Sequence, residues 1–491
     1  MTDSDPQEAS QAAAVLEDRT AGGKVIRGGA LRTFGYFAGV GLAAVASVFL
    51  LRYLGVVDFG RYVVVMSVVA VVGGITDVGL TIVGQREYAV ARSEADRRRL
   101  LANMAGLRLA VTPAGVLLGA LFGIVAGYGS VLVTGVLLAG AGLVFANMGS
   151  TYTVPLTVGL RFGAVTIAEL VRQVAIVLGI GVAVASGAAL TPFFLVHIFA
   201  GVAGLVVAVA LVGLRSTPGP SFDFGVWWFL LREAAPIAVA TIVNVVYVRV
   251  LVIMTSLIAT GTETGLFATS YRIVEVFIGV PALMVGAAFP LLAHAGATDR
   301  ERLAYGLQRV GEVALLVSLG LALLLAFAAE PIVAVLGGEE YEDAAPLLSV
   351  QAFALVGAFL TQVWSLGLVS IRRQRELILV NGIGLVTVLV LGLTLIPPLE
   401  GEGAAIAATA GELVLAVSVL IMLARADPAL RPNLAYVPKL LLAAAAGAGL
   451  ALALDPPPIV GALLAFAVYA FAALALRAVP REIWEALRRR A

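Results

Sequence analysis

Residues Ala235–Ala259 read APIAVATIVNVVYVRVLVIMTSLIA, an apolar run broken by one charged residue, Arg249. About 20 mostly apolar residues suffice to cross a bilayer as an α-helix, which satisfies its own backbone hydrogen bonds. The run therefore predicts a membrane span. Arg249 stands roughly 14 residues into it, near mid-membrane at ~1.5 Å per residue. A guanidinium stays charged at any physiological pH, and holding one in hydrocarbon costs from ~3 to more than ~10 kcal/mol. Such a residue faces either a polar cavity or a partner. Arg172 and Arg272 interrupt other apolar runs in the same way.

The composition agrees with a polytopic chain. Hydrophobic residues make up 61% and charged residues 13% of the 491, with a mean hydropathy of +1.03. That is too little charge to cover a water-exposed surface. A net charge of +1 points to neither nucleic acid nor an acidic partner. The absence of cysteine excludes disulfides, thiolate metal sites and cysteine nucleophiles. Lys24 and Lys439 are the only lysines. Neither lies in a Gly-x-x-x-x-Gly-Lys-Ser/Thr loop, so nucleotide hydrolysis by that route is excluded. His197 and His294 are far apart and have no acidic cluster nearby. No metal site is expected, and His197 reads as a satisfied core imidazole.

Apolar stretches of spanning length predict about 14 transmembrane helices. They fall at residues 33–51, 62–84, 106–127, 130–149, 163–185, 191–213, 235–259, 265–291, 309–329, 345–370, 377–396, 404–423, 438–454 and 458–476. Pro456, Pro457 and Pro458 make the turn between the last two, because consecutive prolines cannot continue a helix. Basic residues collect in alternate connections, among them Arg86, Arg92, Arg97, Arg98, Arg99, Arg215, Arg232, Arg300, Arg372, Arg373 and Arg425. The other face holds Arg52 and Arg61 and is otherwise acidic, with Glu339, Glu340, Glu342, Asp343, Glu400, Glu402 and Asp455. The positive-inside bias places both termini in the cytoplasm and the chain in the cell membrane. Arg481–Arg490 reads either as a short amphipathic helix on the inner leaflet or as a solvated tail.

The helices repeat. Asp58, Gly60 and Tyr62 of the first hairpin are matched at the same spacing by Glu263, Gly265 and Phe267 of the hairpin joining spans seven and eight. Six helices separate the copies, so both have one orientation in the membrane and are related by an axis along its normal. The expected fold is an all-α polytopic membrane protein with two six-helix lobes related by a pseudo-twofold, plus two C-terminal helices. The segments are a cytoplasmic polar tail (1–29), an N-lobe (30–214), a cytoplasmic linker (215–234), a C-lobe (235–424), spans 13 and 14 (425–477) and a basic tail (478–491).

The run Arg52, Tyr53, Leu54, Gly55, Asp58, Phe59, Gly60, Tyr62, followed by Asp77, Val78, Gly79 and Leu80, resembles the opening of polysaccharide-type flippases. These belong to the multidrug, oligosaccharidyl-lipid and polysaccharide exporter superfamily. The run Leu231–Pro236, followed by Gly265, Leu266, Phe267, Tyr271 and Arg272, resembles the same family's seventh and eighth helices. The resemblance implies a transporter that flips polyprenyl-diphosphate-linked oligosaccharide from inner to outer leaflet by alternating access. It also implies a cationic cavity for the diphosphate, and glycan-assembly enzymes as partners.

A diphosphate is a multivalent anion whose oxygens match the guanidinium fork. The three and four-spaced neighbours of Arg249 on its helix are Val245, Val246, Val252 and Ile253, so no carboxylate there neutralises it. It is expected either unpaired in the cavity or bridged to another helix, with Asp77 as the candidate partner. Arg272 with Glu275, and Arg172 with Glu169, can each pair on one helical face. The substrate-binding candidates are Arg249, Arg272, Arg172 and Asn244. Asp77, Glu275 and Glu412 are candidates for coupling or gating, as carriers of a proton or sodium ion or as static partners. Asn147, Gln173, Gln351, Gln362 and Asn381 either meet sugar hydroxyls or bond between helices. Pro113, Pro236, Pro281 and Pro290 mark bends.

Three other classes remain open, one of them a structural or scaffold membrane protein, in which Arg249 would be fully paired and no cleft would exist. Drug or cation antiport favours carboxylates in the cavity, which intramembrane arginines oppose. A glycan polymerase or glycosyltransferase needs a catalytic outer loop, whereas the longest one here, Glu330–Ala344, lacks basic residues. A non-enzyme with no resident cofactor is expected.

Overall fold

The computed structural model describes residues 19–479 apart from Val78. Among these residues the chain is all-helical. The helices in order are α1 (Arg19–Asp77), α2 (Leu80–Val90), α3 (Glu94–Val125), α4 (Ser130–Tyr152), α5 (Val154–Val158), α6 (Phe162–Ala185), α7 (Leu190–Val212) and α8 (Phe224–Ile258). There follow α9 (Gly261–Thr298), α10 (Arg300–Phe327), α11 (Ala329–Gly337), α12 (Ala344–Gln351), α13 (Ala354–Ser370), α14 (Glu376–Ala426), α15 (Tyr436–Leu454) and α16 (Pro458–Ala475).

Eleven stretches of the described residues are helical, long and apolar enough to cross a membrane. Phe37–Val90 and Glu376–Ala426 extend over 54 and 51 residues, far beyond the ~20 a bilayer requires. Both contain non-helical backbone, at Gly55 (φ 69°, ψ 171°) and Glu400 (φ 46°, ψ −120°). In α14 the chain reverses there: a Cβ on Gly403 would lie 2.2 Å from the Leu395 carbonyl oxygen, although eight residues of straight helix span about 12 Å. α1 already runs from Arg19, inside the stretch read as a polar tail, because apolarity marks where a helix enters lipid and not where it starts. Residues 1–18 and the amphipathic reading of Arg481–Arg490 lie outside the described residues. The tenth predicted span is two helices, α12 and α13, and α11 occupies part of the predicted outer loop.

The chain forms two compact units. The first comprises the described part of Met1–Phe49 and Val72–Ala238. Its core joins Leu80, Val83, Leu101, Met104, Leu107, Val154, Leu230 and Ala234. Burying such side chains contributes about 1.5–3 kcal/mol each where water is the alternative. In lipid, packing and polar contacts carry more of the association. Between α2 and α1 stands Gly79 at φ 69°, a left-handed conformation that glycine adopts without strain. That break leaves Asp77 at the end of α1.

The connection into α8 is strapped to this unit. Ser221 N donates to the Ala102 carbonyl at 2.8 Å, Asp223 N donates to Asn103 Oδ1 at 2.9 Å, and Tyr152 Oη donates to the Pro218 carbonyl at 2.9 Å. Arg99 Nη2 lies 2.6 Å from Asp223 Oδ2. The Arg99 guanidinium, then the Val226 and Gly225 amides, hold the Asp223 carboxyl below the usual carboxylate range. A group with a depressed folded pKa stabilises the fold above its unfolded pKa of about 3.9 and loses that contribution as pH falls through the lower folded value. The amides of Ser221 and Asp223 should therefore stay protected from hydrogen exchange at neutral pH and become labile, after correction for intrinsic rate, below about pH 4. Asp223→Asn should raise their exchange already at neutral pH. Unchanged protection in that variant would show that the ion pair does not hold the strap.

The second unit comprises Leu50–Val71 and Val239–Ala491 within the described residues. The tip of the first hairpin docks here. Arg52 Nη2 donates to the Val335 carbonyl at 2.6 Å, and Tyr341 Oη donates to the Leu51 carbonyl at 3.0 Å. Phe59 meets Tyr341 edge to face, with ring centroids 6.4 Å apart. The repeat's two equivalent glycines touch: a Cβ on Gly60 would lie 2.8 Å from Gly265 Cα, and one on Gly265 would lie 2.1 Å from the Val56 carbonyl oxygen. Backbones approach that closely only where side chains are absent. Gly60→Val is expected to lower stability by about 1–3 kcal/mol through overpacking. Thermal unfolding in detergent measures this, and an unchanged midpoint would mean the tip yields without cost.

Candidate functional site

In the second unit α8 contributes Arg249 and α9 contributes Arg272 and Glu275. Glu275 Oε1 accepts from Arg249 Nη2 at 2.7 Å, and Glu275 Oε2 accepts from Arg272 Nη1 at 2.7 Å. One carboxylate thus bridges two guanidiniums, and the three side chains together carry one positive charge. They remain reachable, at 24%, 35% and 24% exposure for Arg249, Arg272 and Glu275. Tyr271 Oη donates to the Val248 carbonyl at 2.7 Å, which ties α9 to α8 one residue from Arg249.

Of the two arrangements expected for Arg249, the bridge to another helix is the one found, with Glu275 and not Asp77 as the partner. Spacing along a helix examines only partners on the same helix, and Glu275 reaches Arg249 from the neighbouring one. Asn244, also on α8, is exposed.

A second polar cluster in this unit surrounds Glu412. Tyr247 Oη donates to Glu412 Oε1 at 2.9 Å. Both residues line a cavity shared with Tyr271, Gln351, Val388 and Ala408. Among the described residues no basic side chain lines it. Gln351 Nε2 donates to Ser270 Oγ at 2.9 Å, while its buried Oε1 has no hydrogen-bond partner among the described residues.

The first unit holds further charges on helices of spanning length. Arg108 on α3 is 1% exposed and bonded to Asp77. The same guanidinium donates to Thr81 Oγ1 at 2.6 Å, the Asn147 carbonyl at 2.6 Å, Ser150 Oγ at 2.5 Å and Thr151 Oγ1 at 2.9 Å. Thr81 Oγ1 also donates to Asp77 Oδ1 at 2.7 Å. Asp77 therefore has Arg108 as its ion-pair partner, in place of the Arg249 pairing considered from sequence. Arg108 was missed because the third span was begun at residue 106, which made it a boundary arginine. It stands well inside α3, and the apolar run from Leu100 onward was the available signal.

Arg172 Nε donates to Glu169 Oε2 at 3.2 Å on α6, the pair the spacing predicts. Asn147 Nδ2 donates to Thr112 Oγ1 at 3.1 Å. Gln173 and Asn381 are half-buried and Gln362 is exposed. His197, on α7, is half-buried and has an interaction partner. Among the described residues no group of three His, Cys, Asp or Glu side chains is arranged to hold a metal ion.

Solved structures share this fold. The lipid II flippase MurJ in an inward closed conformation matches with a TM-score of 0.73 at 14% identity, over 91% of this chain and 99% of that one. A multidrug resistance MATE family transporter of the MOP superfamily, inward-facing, matches with a TM-score of 0.65 at 14% identity, over 80% and 95%. A MOP superfamily transporter from Pyrococcus furiosus matches with a TM-score of 0.52 at 14% identity, over 84% and 95%. No curated protein matches this chain by sequence. At such identities the likeness establishes the fold, that of the MurJ and MATE proteins. Residues 25–295, more than half of the chain, match the family described as polysaccharide biosynthesis protein. On that match, the chain belongs to the polysaccharide biosynthesis protein family.

Proposed function

We propose that this protein flips a polyprenyl-diphosphate-linked oligosaccharide across the cell membrane, from inner to outer leaflet, by alternating access. The observation that carries this reading is the Arg249–Glu275–Arg272 cluster, a net cationic, partly exposed group between α8, which is long and apolar enough to cross a membrane, and its neighbour α9. An intramembrane charge is tolerated where a polar cavity or a partner receives it. A guanidinium pair suits a diphosphate, whose oxygens accept from both forks. Asn244, exposed on the same helix as Arg249, is a further candidate contact for the glycan. Membership of a polysaccharide biosynthesis family supports a glycan cargo and a place among glycan-assembly enzymes.

Both termini lie in the cytoplasm in this reading, following the arginine distribution. Arg172 is held by Glu169 on its own helix and takes a lesser part in binding. For coupling, Glu412 is the better candidate of the three carboxylates. It lines a cavity without a basic side chain among the described residues, so a proton or sodium ion can neutralise it, whereas Asp77 and Glu275 already hold arginines.

The test is transport by the purified full chain in liposomes. A fluorescent polyprenyl-diphosphate sugar placed in one leaflet should equilibrate faster than in protein-free vesicles. Transport of organic cations with no movement of the diphosphate lipid would overturn the reading in favour of antiport. Extension or transfer of the glycan would overturn it in favour of an enzyme.

A further inference from the structure

Glu275 is placed where a substrate diphosphate would bind under the proposed function, and the following rests on that reading. Each of its carboxylate oxygens accepts from a different arginine, at 2.7 Å in both cases. This is the contact pattern a diphosphate would make, with one anionic oxygen for each guanidinium. We propose that Glu275 is a built-in stand-in for the diphosphate: it bridges Arg249 and Arg272 while the site is empty and gives up that bridge when the diphosphate enters.

Electrostatics requires such a group. Two guanidiniums facing the same anion repel one another when it leaves, and the repulsion grows as the effective dielectric falls below that of water. Glu275 neutralises one of the two charges in the empty protein. A diphosphate carries more negative charge and more acceptor oxygens than a carboxylate, and each guanidinium presents five donors. The incoming group therefore outcompetes the carboxylate without a change of donor. The side chains are a quarter to a third exposed, so exchange does not require opening a sealed core.

The exchange also sets affinity. A transporter must bind its cargo well enough to load it and weakly enough to release it, a balance familiar from ion-conducting sites. Because a diphosphate must displace a bound carboxylate, part of its contact energy is offset, and release is assisted when the carboxylate returns. Glu275 is thus a positioning residue that tunes affinity downward.

The experiment titrates the purified full chain with inorganic pyrophosphate and with farnesyl diphosphate, following thermal stability and direct binding. Glu275→Gln keeps the shape and removes the competing charge. It should lower the melting temperature of the empty protein and tighten pyrophosphate binding about tenfold, a change of ~1.4 kcal/mol. In the liposome assay the same variant should load more readily and turn over more slowly. Glu275→Asp is shorter and reaches one arginine less well, so it should gain affinity by a smaller factor, which serves if the glutamine variant does not fold. Equal or weaker pyrophosphate binding by both variants, with the parent binding normally, overturns the inference. If the parent itself binds neither diphosphate, the proposed substrate class fails instead. Adding Arg249→Ala to Glu275→Gln should abolish the gain, and a gain that survives would place the anion elsewhere and overturn the inference.

Discussion

Arg249→Ala is expected to lower flipping of a polyprenyl-diphosphate sugar by ~10–100-fold, the loss of one charge-assisted contact of about 1.5–3 kcal/mol. The protein should stay folded. Arg249 is 24% exposed, and without it Glu275 still has Arg272 at 2.7 Å, so no buried charge is left without a partner. Arg249→Lys retains a cation that can still approach Glu275 but loses the planar fork, and is expected to keep an intermediate rate. The three proteins are compared at equal amounts in liposomes, with melting temperature as the folding control. An alanine variant that is folded and transports at the parental rate would remove Arg249 from the site.

Arg108→Ala should act in the opposite way, on stability before transport. This guanidinium is 1% exposed and reaches Asp77, Thr81, Asn147, Ser150 and Thr151. Its removal leaves the Asp77 carboxylate without its cation and several acceptors without a donor. Breaking a fully buried pair from one side costs about 3–5 kcal/mol, and the 28% exposure of Asp77 puts the cost here toward the lower end. Poor recovery and a much lower melting temperature are expected. Arg108→Lys should rescue little, since one ammonium cannot address acceptors arrayed around a planar fork. Asp77→Asn should be milder, because the amide oxygen still accepts while the arginine keeps its other acceptors. If Arg108→Ala melted like the parent, the network would be a cavity feature and not a support. A folded Asp77→Asn protein with parental transport at all pH values would leave Asp77 with a structural role alone.

The membrane class was legible without coordinates because it depends on sums along the chain. Spanning runs such as Leu190–Val212 and Ser130–Tyr152 satisfy their hydrogen bonds internally, so length and apolarity suffice to place them. The Arg272–Glu275 and Arg172–Glu169 pairs were legible for the same reason, since a three-residue spacing fixes their common face. The repeat was legible at Gly60 and Gly265, but nothing in their spacing said that the two glycines touch.

The site depended on neighbours far apart in sequence. Arg249 and Glu275 come from different helices, as do Arg108 and Asp77, and Tyr247 and Glu412. A helix presents a charge to whatever packs against that face, and no periodicity within the helix records the identity of the packing partner. By itself, then, the sequence determined an all-helical membrane protein, a repeat and the positions of Arg249, Arg272 and Arg172 within apolar runs, because helix geometry and the cost of charge in lipid are local properties. Only the tertiary structure decided which charges neutralise one another. It tied Asp77 to Arg108 in a buried support and made Glu275 the shared partner of Arg249 and Arg272, because ion pairing between helices is settled by packing.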